Sequence, residues 1–308
     1  MFLREKSGRW SAEKIIAFTG ACVPALWLAW RTLNGELNPA RPVNEAIHST
    51  GYWTMLFVVF SLAVTPARRL FAAPKLINMR RTLGVTAFCY AALHLTLYIV
   101  EQKYDLAKVL SEVVLRIYLT IGFVALTGLI ALAVTSTDGM IKRLGGERWN
   151  RLHKLVYAVA ILGIIHFLMQ TKLDISDSVM VAGFLFWLFG YRLAHRYLGE
   201  VTSLRSVMLT LIAAVLTAIA EAAWYGATTG VMWWRVFAVN LDWDMAPRPA
   251  HWVLIMGLAV TLAAFAWSLR SQRPKAREAD PKNREAGPKA RRAPARPPSG
   301  AIQVQSGS

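Results

Sequence analysis

The chain has 308 residues, of which 55% are Ala, Val, Ile, Leu, Met, Phe, Trp, Tyr or Cys and only 17% are charged; the mean hydropathy is +0.38. Soluble domains carry about 25% charged residues. Here the apolar residues run together in nearly charge-free blocks such as Tyr52–Val64, Leu155–Met169 and Val179–Tyr191, which excludes a soluble globular protein. The net charge of +17 divides into +7 on residues 270–308 and +10 on the rest, where the cations lie between apolar blocks, so membrane topology accounts for it and no nucleic-acid partner is expected.

A membrane helix needs about 20 mostly apolar residues. In chain order, eight stretches meet or approach that length: 15–33, 50–65, 82–100, 117–135, 155–171, 179–198, 207–225 and 251–269. The fold expected is therefore an all-α integral membrane protein. The first stretch follows a polar segment and has no small-residue cleavage site after it, so it reads as a retained helix rather than a signal peptide. An even number of crossings puts both termini on one face. With the termini cytoplasmic, the inner segments 1–14, 66–81, 136–154, 192–206 and 270–308 hold 27 of the 35 Lys and Arg residues. Cytoplasmic loops carry the excess of Lys and Arg, so both ends are placed inside. Residues 270–308, rich in Pro, Ala, Arg and Lys, are too polar to bury a core and read as a disordered tail lying against anionic lipid. Cys22 and Cys89 fall inside apolar stretches and form no C-x-x-C pair.

Ionisable residues inside a bilayer are costly and usually functional. His94 lies in the third stretch, and His153 and His166 lie at the start and middle of the fifth. A single membrane histidine is more often a packing or hydrogen-bonding residue than a ligand. Depth distinguishes these three. His166 stands 13 residues beyond His153, about 20 Å along a helix, and His94 stands 14 residues beyond Arg80, about 21 Å. The third and fifth stretches cross in the same direction, so His94 and His166 reach one level. Two neutral imidazoles at one depth suit an axial haem pair. Arg80 and His94 share a helix face to within about 40°. His153 and His166 differ by about 140° on an ideal helix. Either that helix bends or overwinds, or His153 lies at its frayed start.

Four segments together resemble one family: Arg80-Arg81-Thr82-Leu83-Gly84, Leu93-His94-Leu95-Thr96-Leu97-Tyr98, Arg116-Ile117-Tyr118-Leu119-Thr120, and the run from Leu152-His153 to His166. Leu26-Trp27-Leu28 and His48-Ser49-Thr50-Gly51 are similar as well. The family is the haem-binding membrane subunit of the periplasmic methionine sulfoxide reductase system, MsrQ (formerly YedZ), within the ferric-reductase-like transmembrane superfamily. The resemblance covers roughly residues 10–200. It implies a six-helix haem domain over 1–200, two additional helices over 201–269 and the tail over 270–308.

The resemblance further implies a b-type haem electron-transfer subunit of the bacterial inner membrane, without independent catalysis and associated with FMN. Its partner would be a periplasmic molybdopterin enzyme that repairs oxidised methionine in proteins. His94 and His166 would ligate the outer haem. The related oxidases carry a second histidine where this chain has Arg80. Guanidinium has no acceptor and cannot ligate iron, but it can pair with a haem propionate. An inner haem would then rest on His153 alone, or be absent, giving one haem or two. No flavin or nicotinamide domain is recognisable, so electrons would come from quinol or a separate flavin reductase. Competing readings are a free-standing ferric or quinone reductase of the same superfamily and a secondary transporter; the sequence lacks the internal repeats that transporters use.

The seventh and eighth stretches frame a loop with Trp224, Trp233, Trp234, Trp243 and Trp252, which an interfacial aromatic belt explains. Glu221 is expected to be paired or to face a cavity. His48, His195 and His251 lie at stretch ends, where a surface role is expected.

Overall fold

Helices form wherever the sequence supplied an apolar stretch, and four further short helices form between them. The computed structural model describes residues 10–171, 174–244 and 246–272. The expected tail lies almost wholly outside the described residues. The chain order is α1 (Ala12–Leu33), α2 (Pro42–Leu70), α3 (Ile77–Glu101), α4 (Leu106–Leu115), α5 (Ile117–Val134), α6 (Asp138–Leu144), α7 (Gly146–His153), α8 (Leu155–Gln170), α9 (Ser176–Leu198), α10 (Ser203–Thr229), α11 (Trp233–Val239) and α12 (Pro249–Gln272). Among the described residues, eight spans are long and apolar enough to cross a membrane: α1, α2, α3, α5, α7 with α8, α9, α10 and α12. This is a multi-pass membrane protein.

Most of the long helices overrun their apolar stretches, because a helix bonds its own backbone and can continue into polar surroundings. α2 extends eight residues upstream to Pro42, whose fixed φ suits a first helical turn. Polar caps hold the short helices: the Asp105 side chain accepts from the Lys108 backbone N–H at 2.9 Å, and Thr137 does the same for Met140 at 3.2 Å. Gly145, at φ +74°, ends α6 and starts α7 in a conformation that a side chain would strain.

The break between α7 and α8 settles the phase of His153 against His166. The Lys154 N–H bonds the Arg151 carbonyl, and the Tyr157 N–H bonds the Lys154 carbonyl, both three residues back. This tightened turn interrupts the α-helical register, so His153 closes a separate short helix and the ideal-helix phase does not apply.

α2 and α9 are the central helices; half of the apolar window of each is buried, against about a fifth for α1, α3, α5 and α12. Phe57, Val58 and Leu62 of α2 meet Val181, Leu185 and Leu188 of α9 in the main core. Arg192, counted above with the cytoplasmic loops, instead lies within α9. Its guanidinium donates to the Leu62 and Leu188 carbonyls and lies over the Tyr157 ring at 5.7 Å. With no water to solvate it, this cation survives by bonding backbone oxygens.

α10 and α12 pack on α9 through small residues and hydroxyls, the usual means of close approach in membranes. Trp187 donates to Thr210 at 3.0 Å, and Ser206 meets Thr261 at 2.7 Å. A Cβ at Gly183 would overlap Thr217 and Val253. The chain divides into two compact units, Met1–Ser268 and Leu269–Ser308; of the second, only the helical Leu269–Gln272 is described.

Gly183→Val should therefore displace α10 and α12 from α9. Overpacking of this kind costs about 1–3 kcal/mol, and a lowered melting temperature of the purified protein in detergent is the readout.

Candidate functional site

α3 and α8 run in the same direction, and each carries a histidine near its C-terminal end: His94 seven residues and His166 four residues before the last helical position. The structure brings the two together. Their ring centroids are 6.3 Å apart with planes at 90°. His94 Nδ1 lies 2.8 Å from the Ile47 carbonyl of α2, and His166 Nδ1 lies 2.8 Å from the Tyr118 carbonyl of α5. A carbonyl only accepts, so Nδ1 must carry the proton in both rings. Each Nε2 is thereby left with its lone pair available.

Both histidines are seated in the same way. Gly51 lies four residues after Ile47, and a Cβ there would stand 3.1 Å from the His94 ring. Gly122 lies four residues after Tyr118, and a Cβ there would stand 2.7 Å from His166 Nδ1. Each imidazole thus lies against bare backbone one helical turn from the carbonyl that it bonds. Any side chain at either glycine would push the ring away.

The pair stands in a cavity of about 460 Å³ walled by α2, α3, α4, α5 and α8. Apolar residues such as Met55, Val58, Leu126 and Phe167 line its depth, and its mouth is polar. At the mouth Tyr98 donates to Glu112. Arg116 bonds Glu112 and the Tyr118 hydroxyl, each at 3.1 Å, and Lys108 lies beside them. α4, which sequence patterning did not reveal, brings Lys108 and Glu112 here. His48, exposed as expected of it, also lines the cavity. The only sign of this in the sequence was its place in the His48–Gly51 segment.

An ion ligated by one Nε2 on each side, at about 2 Å per bond, sets the ring centres about 6 Å apart, which is the separation found. Among the described residues no group of three or more His, Cys, Asp or Glu is disposed to hold a metal ion. Any metal between His94 and His166 must therefore bring its remaining ligands, as iron in a planar macrocycle does. The two imidazoles and the cavity of about 460 Å³ with its apolar lining fit such a group.

His153 and Arg80 do not join this cavity. His153 Nε2 is 3.2 Å from the Thr135 hydroxyl, and Trp149 stacks on its ring at 3.9 Å while donating to the Thr135 carbonyl. Arg80 and Arg81 act electrostatically on the same imidazole, and Arg81 pairs with Asp138 at 2.8 Å. Nε2 is engaged by a hydroxyl, one ring face is covered by indole, and among the described residues no second imidazole is paired with it. As arranged, His153 fits a hydrogen-bonding and packing role and does not fit an axial ligand.

Outside the cavity of His94 and His166, Glu221 is fully buried. It pairs with Arg248 and accepts from Asn240 Nδ2 at 2.8 Å. The paired state expected of this carboxylate is what forms. His251, expected at the surface, is 2% exposed; its Nδ1 accepts from the Arg248 backbone N–H, and Trp243 packs on its ring at 4.1 Å.

The sequence pattern of the ferric reductase like transmembrane component family matches residues 48–164, a span that contains His48, His94 and His153 and ends two residues before His166. The chain is also similar to curated relatives named protein-methionine-sulfoxide reductase heme-binding subunit MsrQ. One from Rhodospirillum rubrum is 40% identical over 191 residues, covering 62% of this chain and 89% of the relative. One from Herminiimonas arsenicoxydans is 46% identical over 155 residues, 50% of this chain and 71% of the relative. One from Xanthomonas campestris is 38% identical over 209 residues, 66% of this chain and 95% of the relative. No solved structure matches.

Truncating Glu221 leaves Arg248 without its counter-charge. Removing one partner of a fully buried pair costs about 3–5 kcal/mol, and with Arg248 30% exposed about 2 kcal/mol is expected for Glu221→Ala. Glu221→Gln keeps an acceptor and should cost less, so melting curves of the two variants in detergent should fall in that order.

Proposed function

This chain belongs to the family of protein-methionine-sulfoxide reductase heme-binding subunits, MsrQ, and on that premise we propose that it is a haem-binding membrane electron-transfer subunit whose haem is held between His94 and His166. The observation that carries the reading is the pair of imidazoles, 6.3 Å apart in one cavity, each with Nδ1–H committed to a carbonyl and its Nε2 lone pair left available. When bound, haem supplies one-electron chemistry near the membrane face on which α3 and α8 end.

The surrounding residues do the rest. Ile47 and Tyr118 hold the imidazoles in the ligating tautomer. Gly51 and Gly122 fix the ring positions, and the apolar depth of the cavity excludes water. Arg116, Lys108 and the Tyr98–Glu112 pair present both donors and a counter-charge at the mouth, where propionates would reach. His153 and Arg80 remain near the opposite face, outside the ligand set. The geometry therefore favours one haem, because a haem on His153 requires it to give up Thr135 and Trp149.

In its fuller form the reading places both termini in the cytoplasm and the chain in the bacterial inner membrane. Electrons enter from quinol or a separate flavin reductase, with FMN as an associated cofactor. They pass to a periplasmic molybdopterin methionine sulfoxide reductase. The excess of Lys and Arg in the segments on one face, and the His94–His166 cavity near the other, support this direction.

The visible spectrum of the purified protein is the test. A Soret band that shifts on dithionite reduction is expected, with one haem per chain by pyridine haemochrome; a colourless preparation that takes up no added haem would sink the reading. Oxidation of the reduced protein by the molybdopterin subunit with methionine sulfoxide, and not by ferric chelates alone, separates it from a free-standing ferric reductase.

His94→Ala and His166→Ala should each abolish the bis-imidazole spectrum, whereas His153→Ala should retain it. Gly122→Ala should also weaken haem retention. Glycine to alanine in a helix interior normally stabilises by about 0.5–1 kcal/mol, so loss of haem without loss of helicity by circular dichroism would identify the close approach as the cause.

A further inference from the structure

A second, smaller cavity of about 190 Å³ opens where the added helices α10 and α12 meet α2 and α9. Its walls come from the C-terminal ends of α2, α9 and α12 and the N-terminal end of α10. Alternating crossings place all four of these ends on one membrane face, opposite the face near which His94 and His166 lie. Apart from Arg69 and Leu70, its lining residues lie beyond residue 164, where the family match ends.

The hydrogen-bonding capacity of the lining is specific. Ser206 and Thr261 are committed to one another, and Thr261 also donates to the Gly257 carbonyl. Thr202 accepts from the Arg205 backbone N–H and keeps its own hydroxyl proton. Tyr191 lines the cavity, and its ring is packed away in the core. Arg69 and Glu200 both line the cavity and both act electrostatically on the Tyr191 hydroxyl. Neither forms an ion pair with the other or with any other described side chain. The cavity therefore offers a guanidinium and the hydroxyls of Tyr191, Thr202 and Ser203 beside one carboxylate acceptor, and the charges of the lining cancel.

We infer that this cavity binds the headgroup of a membrane phospholipid that carries a phosphate together with a primary ammonium, the phosphoethanolamine type. The phosphate accepts from Arg69, Tyr191 and Thr202, and the ammonium donates to Glu200. A phosphate here gains a charge-assisted bond from the Arg69 guanidinium, and hydrogen bonds to charged groups are the stronger ones. A choline headgroup has no N–H for Glu200, and a glycerol headgroup brings negative charge without a cation to offset the carboxylate. The position at the ends of four spanning helices gives the acyl chains access to the bilayer.

The test is native mass spectrometry of the full-length, delipidated protein incubated with equal amounts of phosphatidylethanolamine, phosphatidylglycerol and phosphatidylcholine of matched acyl chains. Charge-assisted hydrogen bonds of the kind lost with choline correspond to about tenfold in retention, so ethanolamine lipid should be retained about that much better than choline lipid. Glu200→Gln should erase this preference. Arg69→Gln and Tyr191→Phe should lower retention of all three lipids, and Arg148→Gln, exposed and outside the cavity, should change nothing. Each variant is first shown to elute as the parent does, which separates loss of the site from loss of the fold. Equal retention of the three lipids, stronger retention of the glycerol lipid, or displacement of the lipid by excess inorganic phosphate would each overturn the assignment.

Discussion

Two hydrogen bonds between helices govern the arrangement of this protein: His94 to the Ile47 carbonyl and His166 to the Tyr118 carbonyl, each 2.8 Å long. In a bilayer a buried imidazole has no water to turn to. Once Nδ1–H is given to a carbonyl of the neighbouring helix, ring orientation, tautomer and free nitrogen are all decided together. The helix pairs α2 with α3 and α5 with α8 must then pack at the distance that the bond allows. A glycine four residues beyond the accepting carbonyl makes that distance possible in both cases.

The two halves of the site are thus built by one device used twice: a carbonyl, a glycine one turn later, and a histidine from the next spanning helix. The sequence shows no internal repeat, yet the geometry repeats. What recurs is a pair of backbone features separated by four residues, which leaves only a glycine to see. The cavity follows from the same arrangement, because two rings whose centroids are held 6.3 Å apart keep the helix bundle open between them.

Outside this site, polar groups within the spans survive by finding internal partners. Arg192 bonds two carbonyls of the core helices, Glu221 pairs with Arg248, and hydroxyls along α10 and α12 bond carbonyls a turn away. The Trp187–Thr210 bond and the close approach at Gly183 hold the added pair of helices on α9, and their far ends wall a cavity that the six-helix part alone does not possess.

By itself the sequence determined the class of the protein, because charge-free blocks of membrane length permit little besides spanning helices. It also determined the depth of His94 and His166, since a rise per residue and a crossing direction need no knowledge of neighbours. It could not show that the helix carrying His153 is interrupted at Lys154, because such a break reflects local strain and packing rather than composition. Nor could it place His48 in the cavity, join Glu221 to Arg248 across 27 residues, or bury His251. Each of those depends on which helix faces meet. Apolar stretches in lipid carry little periodic signal to say which face points inward, since a lipid-facing leucine and a core-facing leucine satisfy the same solvent. Only the tertiary structure, through the close approaches at Gly51, Gly122 and Gly183, decided the facing surfaces and with them the ligand geometry.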